Sequence, residues 1–165
     1  MRCDGVMSPR PDPRSRLFEL QDQLRRVQVV TPGLMSKVVA GACTRIALPS
    51  CAAKAANIGR LIESEAWTEA ALALVELELP QWKLRRLVYE DGTWLCSLSK
   101  QWNLPAWLSD NAETRHESLP LAILTALIEA HQCAEPSSGR VASSVPQCRA
   151  ESSSPVEIMC CDNFA

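Results

Sequence analysis

An Asp-Gly pair, Asp91 and Gly92, separates two runs of strand-forming residues, LRRLVYE before it and TWLCSLS after it. Both central positions of a type I′ turn require positive φ, and this dipeptide accepts that conformation, so the pattern predicts a β-hairpin with a two-residue loop. The turn also fixes which residues lie opposite each other: Tyr89 and Trp94, Leu87 and Cys96, and Arg85 and Leu98. Because two strands alone are barely stable in water, helices must cover the face that carries Tyr89 and Trp94.

The segment before the hairpin predicts one long helix over residues 51–79. It contains no proline and is rich in Ala, Leu and Glu, which are good helix formers. Ser50 can cap its beginning and Pro80 ends it. Trp67 lies outside the apolar face of this helix, so we expect it either in an interaction surface or against an N-terminal helix.

The segment after the hairpin predicts a second helix that begins near Ser118 or Leu119, with Pro120 in its first turn. Most of its circumference is apolar, and Leu124, Leu127 and Ile128 belong to that surface. A helix of this kind is either central in the fold or covered by a second copy of the chain. With so few residues available to surround it, the pattern favours a homodimer.

The aromatic residues divide the chain into segments. Six of them, including all five tryptophans, lie between Trp67 and Trp107, and large apolar side chains mark where a core forms. We therefore expect a core module at residues 51–134, preceded at 15–50 by an accessory N-terminal helix and a connector. Residues 1–14 and the Ser/Pro-rich tail at 135–165 are expected to be disordered. The predicted class is α+β, with a long helix, a two-stranded antiparallel hairpin and a C-terminal helix.

Charge limits the classes of partner. Residues 51–134 contain seven basic and eleven acidic groups, and a net negative module is a poor ligand for a phosphate backbone. The sequence KLRR beginning at Lys83 is the main basic run in this module, and its arginines point to opposite faces of a strand. No apolar stretch is long enough to cross a bilayer. We therefore expect neither nucleic acid nor a membrane as the partner.

The residue types used in catalysis and metal binding do not form a recognisable motif in this sequence. The eight cysteines show no CxxC spacing, which indicates reduced thiols in a cytoplasmic protein. His131 and Cys133 diverge by about 200° on a helix, so they are poor partners for one metal ion. Ser109, Asp110 and His116 supply the residue types of a hydrolase without its nucleophile motif. We expect no catalytic residues, no metal and no cofactor.

The run from RLIESEAW through VYEDGTWLCSLSKQ to LPLAILTALIEAH resembles short proteins of rhizobia and related alphaproteobacteria that have no assigned activity, and the resemblance covers about residues 58–132. The resemblance implies a bacterial, cytosolic setting and brings no catalytic residues with it. Five tryptophans exceed what so small a unit easily buries, and tryptophan is enriched in interfaces. The candidate interaction surface comprises six residues: Trp67, Trp102, Trp107, Leu124, Leu127 and Ile128.

These patterns predict a small non-enzymatic protein that self-associates and acts as a binding or adaptor module. The alternative is a domain that binds a small ligand or effector in a pocket between the helices and the face carrying Tyr89 and Trp94.

Overall fold

The computed structural model describes residues 12–101 and 110–134. Within these ranges the chain forms five α-helices and one three-stranded antiparallel sheet, which confirms the α+β class. The elements are α1 (Pro13–Arg26), α2 (Pro32–Ala42), α3 (Ala52–Glu63), α4 (Trp67–Glu78), β1 (Lys83–Glu90), β2 (Thr93–Ser99), β3 (Asn111–His116) and α5 (Leu119–Ala134). Two short 3₁₀ turns, Arg45–Ala47 and Pro49–Cys51, connect α2 to α3.

The predicted hairpin is β1 and β2. Asp91 and Gly92 have φ values of 51° and 79°, as a type I′ turn requires, and Tyr89 pairs with Trp94 with ring centroids 5.2 Å apart. The predicted pairing of Arg85 with Leu98 is wrong, because a β-bulge between Leu84 and Arg86 places Leu84 opposite Leu98. The extra residue reverses the alternation of side chains, so Leu84 lies on the same face of the sheet as Leu87 and Tyr89.

The prediction of a two-stranded sheet is incomplete, because β3 adds a third strand and makes β2 the central one. Ala112 and Thr114 of β3 are buried toward α5, and the Thr114 hydroxyl donates a hydrogen bond of 2.8 Å to the carbonyl of Ala122. The outward residues Glu113 and Arg115 are exposed. This alternation has the period of a strand, but Ala and Thr are too small or polar to give a strong signal.

The predicted long helix is two helices, α3 and α4, separated by Ser64–Ala66. Glu65 has φ 57°, its N–H donates to the carbonyl of Ile62, and the N–H of Ala66 donates to the carbonyl of Leu61. These two bonds form a Schellman motif, which usually has glycine in the left-handed position. The single-helix prediction is wrong because glutamate, a good helix former, takes that position here.

Helix α5 begins at Leu119, as predicted, and lies at the centre of the fold. It packs against α1, α4, β2 and β3, and its residues from Leu121 to Ile128 are almost completely buried. The protein's own elements therefore cover its apolar circumference. The argument for a homodimer from this helix no longer applies.

The N-terminal segment contributes to the same core. Helix α1 ends at Arg26, and the Thr31 hydroxyl accepts a hydrogen bond of 3.2 Å from the N–H of Leu34 at the start of α2. Leu24 of α1 and Met35 of α2 are fully buried in one cluster with the apolar residues of α5. The tail at 135–165, and most of residues 1–14, lie outside the described residues.

Candidate interaction surface

The outer edge of β1 is the first candidate surface. No described strand pairs with this edge, and the extensive contacts of β1 among the described elements are with β2. Leu84 and Tyr89, near the two ends of the strand, keep 43% and 59% of their surface exposed. An edge strand offers unpaired main-chain N–H and C=O groups, and apolar side chains beside them make the edge suited to strand addition.

A groove of about 600 Å³ adjoins this edge at its Leu84 end. Its apolar wall comes from the C-terminal half of α4 and from Trp82, and its charged groups are Lys54, Glu76 and Lys83. Trp82 is buried, and the Lys100 ammonium lies 5.3 Å from its ring centroid. The alternative prediction placed a pocket beside Tyr89 and Trp94, whereas this groove lies at the opposite end of β1.

A second, basic cleft of about 270 Å³ lies where the end of β3 meets the segment after α1. Its lining residues include three arginines, Arg25, Arg26 and Arg115, together with His116 and one glutamate, Glu117. These residues come from elements far apart in the sequence. The local excess of positive charge contrasts with the net charge of −2 for the whole chain.

The predicted interaction residues do not form one surface. Leu124, Leu127 and Ile128 are fully buried by the protein's own elements. Trp67 is the first residue of α4 and is half-buried against the core. Trp102 and Trp107 lie outside the described residues. Sequence reasoning missed Leu84, whose position depends on the bulge, although the basic residues beside it are typical of an edge strand.

Among the described residues, the buried charged side chain is that of Glu78. It is 5% exposed, and its carboxylate accepts three backbone hydrogen bonds, of 3.0, 3.0 and 2.8 Å, from the N–H groups of Thr44, Arg45 and Ile46. The carboxylate therefore holds the first 3₁₀ turn against α4. The Glu78 carboxylate has a structural role, because both of its oxygens accept hydrogen bonds from the backbone.

The described cysteines do not form a reactive centre. Burial raises the pKa of Cys96 to about 12, and burial together with the charge of Glu78 raises the pKa of Cys43 to about 12. Thiols with such pKa values are not thiolates near neutral pH, so they are poor nucleophiles. Cys51 is also buried, and these three residues act as small apolar side chains.

Metal binding and hydrolysis are two further kinds of chemistry that the residue types suggest. Within residues 12–101 and 110–134, no group of three His, Cys, Asp or Glu side chains could hold a metal ion. His116 accepts a hydrogen bond of 2.9 Å at Nδ1 from the N–H of Ser118, while Ser109 lies outside the described residues.

Among the described carboxyl groups, that of Glu129 on α5 has a raised pKa. Burial is the main cause, and the neighbouring charge of Glu113 adds to it. A hydrogen bond with the Glu113 backbone and the charge of Arg25 act in the opposite direction. Glu129 thus interacts with β3 and with α1, and its burial destabilises the ionised form of the carboxyl group.

Comparisons with known proteins give no functional assignment: no family model, curated protein or solved structure matches the chain. Among the helices that the structure describes, none has both the length and the apolar character needed to span a membrane.

Proposed function

We propose that this protein is a small non-enzymatic module that self-associates through β1, with the outer edge of β1 pairing with β1 of a second copy. Two observations carry the proposal: no described strand pairs with the outer edge of β1, and Leu84 and Tyr89 are exposed on one face of the strand. Pairing would satisfy the main-chain groups of the edge and cover both side chains.

The sequence of β1 is complementary to itself in one antiparallel register. When the bulge at Arg85 is taken into account, a two-fold axis at Leu87 aligns these pairs between copies: Lys83 with Glu90, Leu84 with Tyr89, Arg86 with Val88, and Leu87 with itself. Opposite charges then meet at both ends, and apolar side chains meet between them on the helix-facing side. Directly opposed pairs of these kinds stabilise a sheet by about 0.2–1 kcal/mol each.

Registers shifted by one position are less favourable at the ends of the strand. Moving the pairing by one position places Lys83 opposite Tyr89, or Leu84 opposite Glu90, so a charge opposes an apolar side chain in each case. The bulge is essential to this preference, since without it Leu84 and Tyr89 would point to opposite faces of the strand. The interface is a single strand edge, so we expect a weak, reversible dimer.

Sedimentation equilibrium on the full chain, from about 10 µM to about 1 mM, tests the proposal. We expect a monomer–dimer equilibrium. Lys83→Glu or Glu90→Lys should weaken the dimer, because each change places like charges opposite each other across the interface. The double variant exchanges the charges and should restore dimerisation. Lys37→Glu, an exposed change of the same charge on α2, is the matched control.

Two results would contradict the proposal. A monomer at every concentration would exclude self-association by this edge. An equal effect of Lys37→Glu and Lys83→Glu, without rescue by the charge exchange, would indicate that only net charge matters.

The second candidate function is binding of a small amphipathic anion in the groove beside Leu84. Its volume of about 600 Å³ suits a small organic molecule, and it combines an apolar wall with two lysines and one carboxylate. Anilinonaphthalene sulfonate is a suitable probe. Specific binding should be saturable, should raise the melting temperature and should weaken in Lys54→Glu. Fluorescence that rises without saturation would argue against this function.

A further inference from the structure

We propose that the basic cleft at the end of β3 binds a phosphate group, either free inorganic phosphate or a phosphate on a small carrier such as phosphoserine. This proposal rests on other observations than self-association, because the lining of the cleft includes no residue of β1. Its lining is contributed by three parts of the chain: the end of α1, the start of β2 and the end of β3.

The arginines are oriented by neighbours that leave donors available. Arg26 Nη2 lies 2.7 Å from Asp22 Oδ2, one turn earlier on α1. Arg25 is close enough to Glu129 for its charge to lower the pKa of that carboxyl group. A guanidinium group has five N–H donors, so one carboxylate partner does not exhaust it. The ion pair with Asp22 restricts the side chain of Arg26 before any ligand binds.

Arg115 and His116, at the end of β3, complete the lining. On the sheet, Arg115 lies opposite Leu95 in the register of β2 and β3, so no acidic side chain faces it there. His116 Nδ1 accepts the N–H of Ser118, which leaves the proton of the neutral ring on Nε2 as a donor. The cleft thus combines guanidinium groups with a neutral N–H donor.

This donor set favours phosphate over a carboxylate. A phosphate presents three or more acceptor oxygens and up to two negative charges, whereas one guanidinium fork satisfies a carboxylate. The lining residues include three arginines and one glutamate, Glu117. With a volume of about 270 Å³, the cleft has room for the phosphate and only a small carrier.

Two-dimensional NMR of the full chain tests the proposal at constant ionic strength, with inorganic phosphate, phosphoserine, serine and chloride as separate titrants. We expect saturable amide shifts confined to residues 25–28, 93 and 115–117 with one or both phosphates. Arg115→Gln should weaken the binding about tenfold, since it removes a charge-assisted contact from an exposed position. Arg16→Gln removes a charge from an exposed position of α1 outside the cleft and should leave the affinity unchanged.

The titrants identify the source of the phosphate. Tighter binding of phosphoserine indicates a phosphorylated carrier, and equal or tighter binding of inorganic phosphate indicates the free ion. Equal shifts with chloride, the absence of saturation, or an unchanged affinity in Arg115→Gln would overturn the proposal. Matching circular dichroism spectra of the variants and the parent protein would show that a loss of binding is not a loss of fold.

Discussion

Replacing Glu78 by alanine tests whether the buried carboxylate holds the connection between α2 and α3. The change removes three backbone hydrogen bonds of 2.8–3.0 Å. Hydrogen bonds to charged groups contribute about 1.5–3 kcal/mol each. Thr44 and Arg45 are exposed residues, so water can replace part of the loss at their N–H groups. We therefore expect the free energy of unfolding to fall by about 3 kcal/mol rather than by the full sum.

Urea unfolding, followed by tryptophan fluorescence and circular dichroism, measures this change, and the melting temperature should fall by about 10 °C. Glu76→Ala is the matched control, because Glu76 is exposed on the same helix. A second readout is local: the amides of Thr44–Ile46 should exchange hydrogen faster in Glu78→Ala, even under conditions where the core remains protected. If Glu78→Ala and Glu76→Ala were equally stable and equally protected at these amides, the carboxylate would have no such role.

Three other predictions concern single side chains. Glu65→Gly should raise the free energy of unfolding by about 1 kcal/mol in urea titrations, because glycine accepts φ 57° without strain; a loss of stability would contradict the Schellman geometry. Cys43 and Cys96, whose pKa values are about 12, should remain unmodified by a thiol reagent under native conditions while exposed Cys133 reacts, as measured by peptide mass spectrometry; rapid labelling of either buried thiol would contradict their burial. The raised pKa of Glu129 means that the folded state binds more protons than the unfolded state above the ordinary value of 4.5, so this group lowers stability as pH rises through that window. Unfolding of Glu129→Gln at pH values from about 4 to about 7 should lack this contribution, and a difference from the parent protein that did not vary with pH would refute it.

Elements with strong local signals, such as turn residues or a helix-start proline, could be predicted from the sequence. Asp91 and Gly92 identified the hairpin because few dipeptides accept two positive φ values in succession. Pro120 identified the start of α5 because proline is compatible with the first turn of a helix. In both cases the determinant lies within a few residues of the feature it specifies.

The errors arose where packing overrides local preference. Glutamate at position 65 has high helix propensity, yet the return of α4 against α3 requires it in the left-handed region. The residues of β3 have weak strand propensity, and pairing with β2 together with the cover of α5 stabilises them as a strand.

The candidate surfaces were less predictable than the fold. Leu84 is exposed on the helix-facing side only because the β-bulge shifts the register, and a bulge without glycine has no reliable local signal. The basic cleft brings together Arg25 and Arg115, which are ninety residues apart in the chain. Proximity of this kind is a property of the tertiary structure.

The enclosed position of α5 has a consequence for biosynthesis. Translation proceeds from the N-terminus, so α1, α4 and the sheet leave the ribosome before the helix on which they pack. Until residue 134 has left the exit tunnel, the apolar faces of those earlier elements have no central helix to cover them. The nascent chain should therefore bind chaperones until a late stage, and it should complete its folding in one step once α5 is available.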